Sequence, residues 1–271
     1  MTSTRGQGLN TATIISIAIP AFALQSVAHE ICGHGVTAWL TGAKVTLITS
    51  TALQTQGGSR LVPTSGPLAN LFFGALAYIV LRRIPRFGAA RFFLWIFAFA
   101  HLFIGTGYIL YSGVINFGDS AYVIAGLQPA WLYRFALILF GAWGYRFSVG
   151  LAVRDTLGLI HNGSLLREDV LRLVYPSCLA GALLYIIASV FNPVSPSLIL
   201  YDGVSMAAGI AFGFLLIPRV VERLSSKAAP AVASAGQSNP TAIPFSAAWT
   251  VFGAISAVLF IIFLGHGIRV H

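Results

Sequence analysis

The chain has 271 residues, of which 57% are hydrophobic and 8% charged, with a formal net charge of +9. Ordinary soluble domains carry about 25% charged residues, and a soluble globule of this size cannot hide so much apolar surface. Two cysteines exclude a disulfide-framed secreted scaffold, the hydrophobicity excludes a disordered chain, and the basic residues need no nucleic acid, because they suit the ends of membrane spans.

The expected fold is an all-α polytopic membrane protein. Seven apolar runs approach the roughly 20 residues that a bilayer crossing needs. They cover residues 11–40 (interrupted by Pro20), 67–81, 92–112, 130–153, 170–191, 197–217 and 247–264. In a bilayer such runs form helices, because no water satisfies the backbone there. Arg5 precedes the first run as in a signal anchor, yet the apolar stretch outlasts any short signal core, so the span is read as retained. Residues 44–63 differ: Val45, Leu47 and Ile48 mix with threonines and Gly57-Gly58 supplies a turn. This pattern predicts a small β-hairpin at the membrane surface. Residues 222–245 are rich in Ala, Ser and Pro and read as a flexible linker before a last, separable span. The resulting organisation is a membrane core at 1–153, further transmembrane helices at 154–221, the linker, and a C-terminal helix at 246–271.

Positive charge orients the spans. With seven crossings, the side holding the N-terminus receives 11 basic residues and the opposite side three (Lys44, Arg60 and Arg269). Arg134 and Arg146 lie inside the fourth span and are not counted. The N-terminal side is therefore expected to be cytoplasmic.

Charges within a span are costly and tend to be functional. His29, Glu30 and His34 lie inside the first span, in the string His29-Glu30-Ile31-Cys32-Gly33-His34. Two imidazoles and a carboxylate at this density suggest a zinc site: neutral imidazole nitrogens hold the metal, and the carboxylate takes a proton from water. The common helical pattern spaces the histidines by four. Here they are five apart, about 140° around a regular helix. A local π-turn, which is wider, brings them together, and Gly33 tolerates that distortion. The plainer alternative is a structural polar cluster between helices. Cys32 is expected to pack against a neighbour.

The string His29-Glu30-Ile31-Cys32-Gly33-His34-Gly35 in a membrane helix, followed by Gly66-Pro67-Leu68-Ala69-Asn70, resembles the site-2 protease family of intramembrane zinc metalloproteases. The six-residue histidine spacing is also the motif of dipeptidyl-peptidase III zinc enzymes. The resemblance covers residues 11–153, with the hairpin between the two motifs. It implies a zinc-dependent endopeptidase that hydrolyses membrane-protein substrates in a multi-pass, bacterial inner (plasma) membrane setting. His29 and His34 would be zinc ligands, Glu30 the general base, and Asn70 a hydrogen-bond partner for substrate backbone or oxyanion. The family's third ligand is an aspartate. Asn116-Phe117-Gly118-Asp119 offers one at a suitable distance, and Tyr201-Asp202-Gly203, after Asn192-Pro193, offers another; Asp119 is preferred. His101 lies about as deep as His29, roughly 16 Å from the far face by helical rise. It either lines the same cavity, even as a ligand, or bonds a backbone carbonyl. Competing functions are a non-catalytic relative that binds a membrane partner, a proton or metal transporter using His29, Glu30, His101 and Asp202, and a zinc hydrolase of lipid amides or esters.

Overall fold

The computed structural model describes residues 8–225 and 242–270. Within these, seven helices are long and apolar enough to cross a bilayer. They are α1 (Thr11–Leu40), α2 (Leu61–Leu81), α3 (Ala89–Ile115), α5 (Ala130–His161), α6 (Asp169–Val190), α7 (Ile199–Ser225) and α8 (Ala247–Gly265), with a short α4 (Asp119–Ile124) between α3 and α5. The all-α polytopic architecture expected from the apolar runs is the one observed, and the protein is a multi-pass integral membrane protein. Spans two, three, four and six extend beyond their apolar runs. α2 begins at Leu61, so Pro63 lies in its first turn, where a missing amide costs nothing. α7 continues to Ser225, so the first four residues of the expected linker are helical. Residues 226–241 of that linker lie outside the described residues.

α1 and α3 form the centre of the bundle, each with 67% of its most apolar window buried, against 17% for α8. Their aromatic and aliphatic side chains meet those of α6 and α7 in one core, in which Phe22, Phe99, Phe103, Tyr185 and Phe214 are fully buried. Other large apolar side chains, such as Phe72, Trp131, Phe147 and Phe252, point outward, toward lipid. Glycines permit the closest approaches. A Cβ on Gly141 would strike the Leu110 backbone, where α5 crosses α3, and one on Gly253 would lie 2.6 Å from the Ser16 carbonyl, where α8 lies on α1. The last span is therefore docked against α1 rather than separable.

The hairpin is present as β1 (Lys44–Ile48) and β2 (Leu53–Gln56), paired antiparallel with Lys44 opposite Gln56 and Ile48 opposite Leu53. A third strand extends it. β3 (Ile268–Arg269) follows α8 and pairs antiparallel with β1, giving the order β2-β1-β3. Two residues carry too little pattern to be read as a strand. The turn between β1 and β2 is tied down from three directions. Ser26 Oγ donates to the Ser50 carbonyl (2.8 Å), the Ser50 amide donates to the Leu264 carbonyl (2.8 Å), and Asn192 Nδ2 donates to Thr49 Oγ1 (3.1 Å) and Thr51 Oγ1 (2.8 Å). These bonds fix the sheet over one end of the bundle, where the polar residues of α1 lie.

Candidate metal centre

Within α1, residues Ala28–Gly35 form a π-helical segment. Its wider turn offsets the five-residue spacing of the histidines. The His29 and His34 rings stand edge to face with centroids 4.7 Å apart, and their Nε2 atoms are 3.1 Å apart. Gly33 has a second reason to be glycine, besides tolerating the turn. A Cβ there would lie 2.7 Å from Gly66 Cα, because α1 and α2 touch at this point. Gly66 is equally constrained: a Cβ on it would lie 2.6 Å from His29 Nε2 and would strike the His34 ring. The glycine of the Gly66-Pro67 pair leaves the space that both imidazoles occupy.

Asp119 completes the cluster. α3 ends at Asn116, which adopts a left-handed conformation (φ 59°), and Gly118 follows with φ 84°. Asn tolerates that region better than most residues, and glycine has no Cβ to oppose it. The two left-handed residues reverse the chain, so that Asp119, the first residue of α4, points back at α1. Its Oδ2 lies 3.0 Å from His29 Nε2 and 3.3 Å from His34 Nε2. Burial would raise the Asp119 carboxyl, but Nε2–H groups and charge on His34 and His29 outweigh it and hold the group well below the usual carboxylate range; a bound metal would take the place of those Nε2 protons.

His29, His34 and Asp119 each offer one donor atom, and these atoms lie within 4.8 Å of one another. Two neutral imidazoles and a carboxylate suit zinc chemically. Tetrahedral donors at zinc's usual bond lengths stand about 3.3 Å apart, and the donor separations here are 3.0, 3.1 and 3.3 Å. Each histidine is also oriented from behind, as metal-binding imidazoles require. His34 Nδ1 donates to the Val62 carbonyl (2.6 Å), which leaves its Nε2 free to bind. His29 Nδ1 meets the Asn70 side-chain amide at 2.8 Å. Asn70 Nδ2 faces Nδ1 while its Oδ1 faces Gln25 Nε2 and His101 Nδ1; freeing His29 Nε2 for a metal requires both carboxamides, Asn70 and Gln25, to be turned over so that the Asn70 oxygen accepts from Nδ1–H.

This position gives Asn70 protein partners in place of an open face toward the cavity. Its side chain is fully buried and does not reach the cavity. Besides His29 it contacts Gln25 Nε2 (3.1 Å) and His101 Nδ1 (2.9 Å), and Gln25 is held in turn by the Tyr185 hydroxyl. Asn70 orients His29, and both of its side-chain polar atoms are engaged by protein groups. His101 fits neither expectation. It is fully buried behind Asn70, outside the cavity wall, and its partner is a side chain rather than a backbone carbonyl. Cys32 is exposed on the outer face of α1, not packed as expected, and Cys178 is buried.

The donor atoms face a cavity of about 470 Å³ between the sheet and the helix ends. Glu30 lines it and is 3% exposed, and its Oε2 has no hydrogen-bond partner within the protein. Asp202 also lines this cavity but stands outside the donor group. It lies in a second π-turn, Ile199–Val204, and accepts a hydrogen bond from the Tyr108 hydroxyl (2.7 Å). The reading of the non-ligand acid as a solvated loop residue fails for Asp202, which is 3% exposed. Tyr108 was not identifiable from sequence. It is one of 20 Phe and nine Tyr in an aromatic-rich chain, and only packing brings its ring to 6.1 Å from that of His29. No protein-family model, curated protein or solved structure matches the chain.

Proposed function

We propose that the protein is a membrane-embedded zinc endopeptidase acting on transmembrane or membrane-anchored proteins, as its resemblance to site-2 proteases suggests. The observation that carries this reading is the convergence of His29, His34 and Asp119 on one point beside the unpartnered carboxylate of Glu30. A zinc ion held by these three side chains supplies Lewis acidity, which polarises a scissile carbonyl and makes water a nucleophile near neutral pH. Glu30 accepts the proton of the attacking water and returns it to the leaving amine. Because Asn70 is committed to His29, another donor must meet the developing oxyanion. Tyr108 takes that role, turning its hydroxyl from Asp202 to the substrate oxygen.

The sheet supplies a place for substrate. In the order β2-β1-β3, both neighbours of β1 are filled and β2 keeps one open edge. Residues of β2 also line the cavity. A locally unwound substrate segment pairs with that edge as an added strand; unwinding is required because the amides of an intact helix are already bonded. The charge count assigns the N-terminal side to the cytoplasm. The cavity, at the opposite end of α1, then faces away from the cytoplasm of a bacterial plasma membrane, whereas many similar proteases cut near the cytoplasmic face.

The test is zinc content in the purified wild type and in Glu30→Gln, His34→Ala and Asp119→Ala, with cleavage of a model transmembrane peptide alongside. Wild type and Glu30→Gln should carry about one zinc per chain, with Glu30→Gln inactive, and the ligand variants should lose metal. A wild type without zinc under metal-replete conditions overturns the reading. Zinc retained in wild type without any proteolysis favours a non-catalytic, partner-binding relative. Metal loss in Asp202→Ala but not in Asp119→Ala would move the third ligand to Asp202.

A further inference from the structure

A second site lies on the lipid-facing side of the bundle, away from the metal centre. α5 and α7 splay apart to leave a groove of about 880 Å³, walled by apolar side chains such as Val149, Leu157, Phe212 and Leu216. A shallower hollow of about 260 Å³ lies beside it, against Trp143, Phe147 and Leu151. The two hollows share three residues: Arg146, Gly150 and Arg154. The arginine pair therefore stands on the ridge between two apolar depressions.

The arginines that lie against the protein are satisfied by it. Arg91 is paired with Asp155, and Arg134 donates to the Gly113 and Val114 carbonyls. Arg146 and Arg154 are exposed and have no hydrogen bond or ion pair among the described residues. For Arg146, depth makes this costly. Trp131, 69% exposed, and Tyr133 mark one membrane interface at the start of α5. By helical rise Arg146 lies about 22 Å and Arg154 about 34 Å beyond Trp131. The far boundary of a hydrocarbon core about 30 Å thick falls between them. A guanidinium at that depth needs an anion or a path to headgroups.

We propose that Arg146 and Arg154 bind the phosphate of an anionic phospholipid, with one acyl chain in each of the flanking hollows. Charge and shape together select this occupant. Two guanidiniums that straddle the core boundary, without a partner among the described residues, fit a phosphate drawn to that boundary, and two apolar depressions meeting at the same ridge fit a diacyl lipid. Gly150 keeps the ridge low: nothing lies within 4 Å of where its Cβ would be, so the space is open to a ligand.

The test uses the full-length protein in detergent, with native mass spectrometry counting retained lipid after addition of phosphatidylglycerol or phosphatidylcholine. Wild type should retain one phosphatidylglycerol in preference to phosphatidylcholine. Arg146→Gln combined with Arg154→Gln should weaken retention by about tenfold. Gly150→Leu keeps both charges but fills the ridge, and should weaken it as well. Arg83→Gln removes an exposed arginine on the same side of the membrane and should leave retention unchanged. Equal retention of the two lipids overturns the proposal, as does an equal loss in Arg83→Gln, which would mean unspecific attraction to basic charge. Undiminished retention in both site variants overturns it too.

Discussion

Gly66→Ala probes the geometry of the metal centre more sharply than loss of a ligand, because it adds one methyl group and removes nothing. The new Cβ would lie 2.6 Å from His29 Nε2, and the His34 ring would be closer still. Ordinary contact begins at 3.4 Å, so the rings or the helix must yield by about 0.8 Å. Neither imidazole can retreat alone. His34 is bonded to the Val62 carbonyl and His29 to the Asn70 amide, and both partners belong to α2, as Gly66 does. Moving α2 outward pulls the rings with it and away from Asp119, which is carried by α4. Metal–donor distances tolerate about 0.2 Å, so the displacement is several times too large. Zinc affinity, measured by chelator competition, should fall by about 100-fold or more, in the range seen when metal-supporting residues are lost. Overpacking should also cost about 1–3 kcal/mol of stability. Gly158→Ala is the control, since its Cβ would meet nothing within 4 Å. A Gly66→Ala protein that binds zinc within threefold of wild type would refute the reasoning.

Three further outcomes are expected. Asn70→Ala should lower zinc affinity by about 10–100-fold through loss of His29 orientation; unchanged affinity with impaired turnover would return Asn70 to an oxyanion role. Tyr108→Phe should keep its zinc and lose about 10²-fold or more in kcat on a transmembrane peptide; unchanged kcat would remove it from the reaction. Arg91 makes a bidentate ion pair with Asp155 (2.7 and 2.8 Å), and both side chains are 5% exposed. Removing either alone should cost about 3–5 kcal/mol in denaturation, whereas replacing both with apolar residues of similar volume should cost far less. Equal losses in the single and double variants would contradict that account.

The bilayer requirement made most of the fold legible. Spans must be apolar and about 20 residues long, so composition alone locates the seven helices. The hairpin showed through its mix of apolar residues and threonines, but its turn lies at Thr49–Ala52, where Thr49 and Ala52 bond each other, and the expected turn glycines Gly57-Gly58 follow β2 instead. The candidate site residues of α1 were visible for the same reason, because two imidazoles and a carboxylate inside an apolar helix conflict with their surroundings. The five-residue spacing even implied the π-turn, since a regular helix cannot bring those rings together.

What sequence could not decide were relations between distant segments. Asp119 and Asp202 were both acceptable in local motif; the left-handed turn through Asn116 and Gly118 brings Asp119 onto the imidazoles. Asn70 matched a motif, yet its direction depends on how α2 packs on α1 and α3, and that packing turns it to His29, Gln25 and His101. Tyr108 and the two-residue β3 carried no local signal, because a single tyrosine or a short terminal strand is specified by the neighbours it meets. Low charge content identified the solvent of this protein and exposed Glu30 within it. Only tertiary packing determined which side chains share a cavity with that glutamate, because packing joins α3, α4 and α7 to α1 across separations that no local pattern spans.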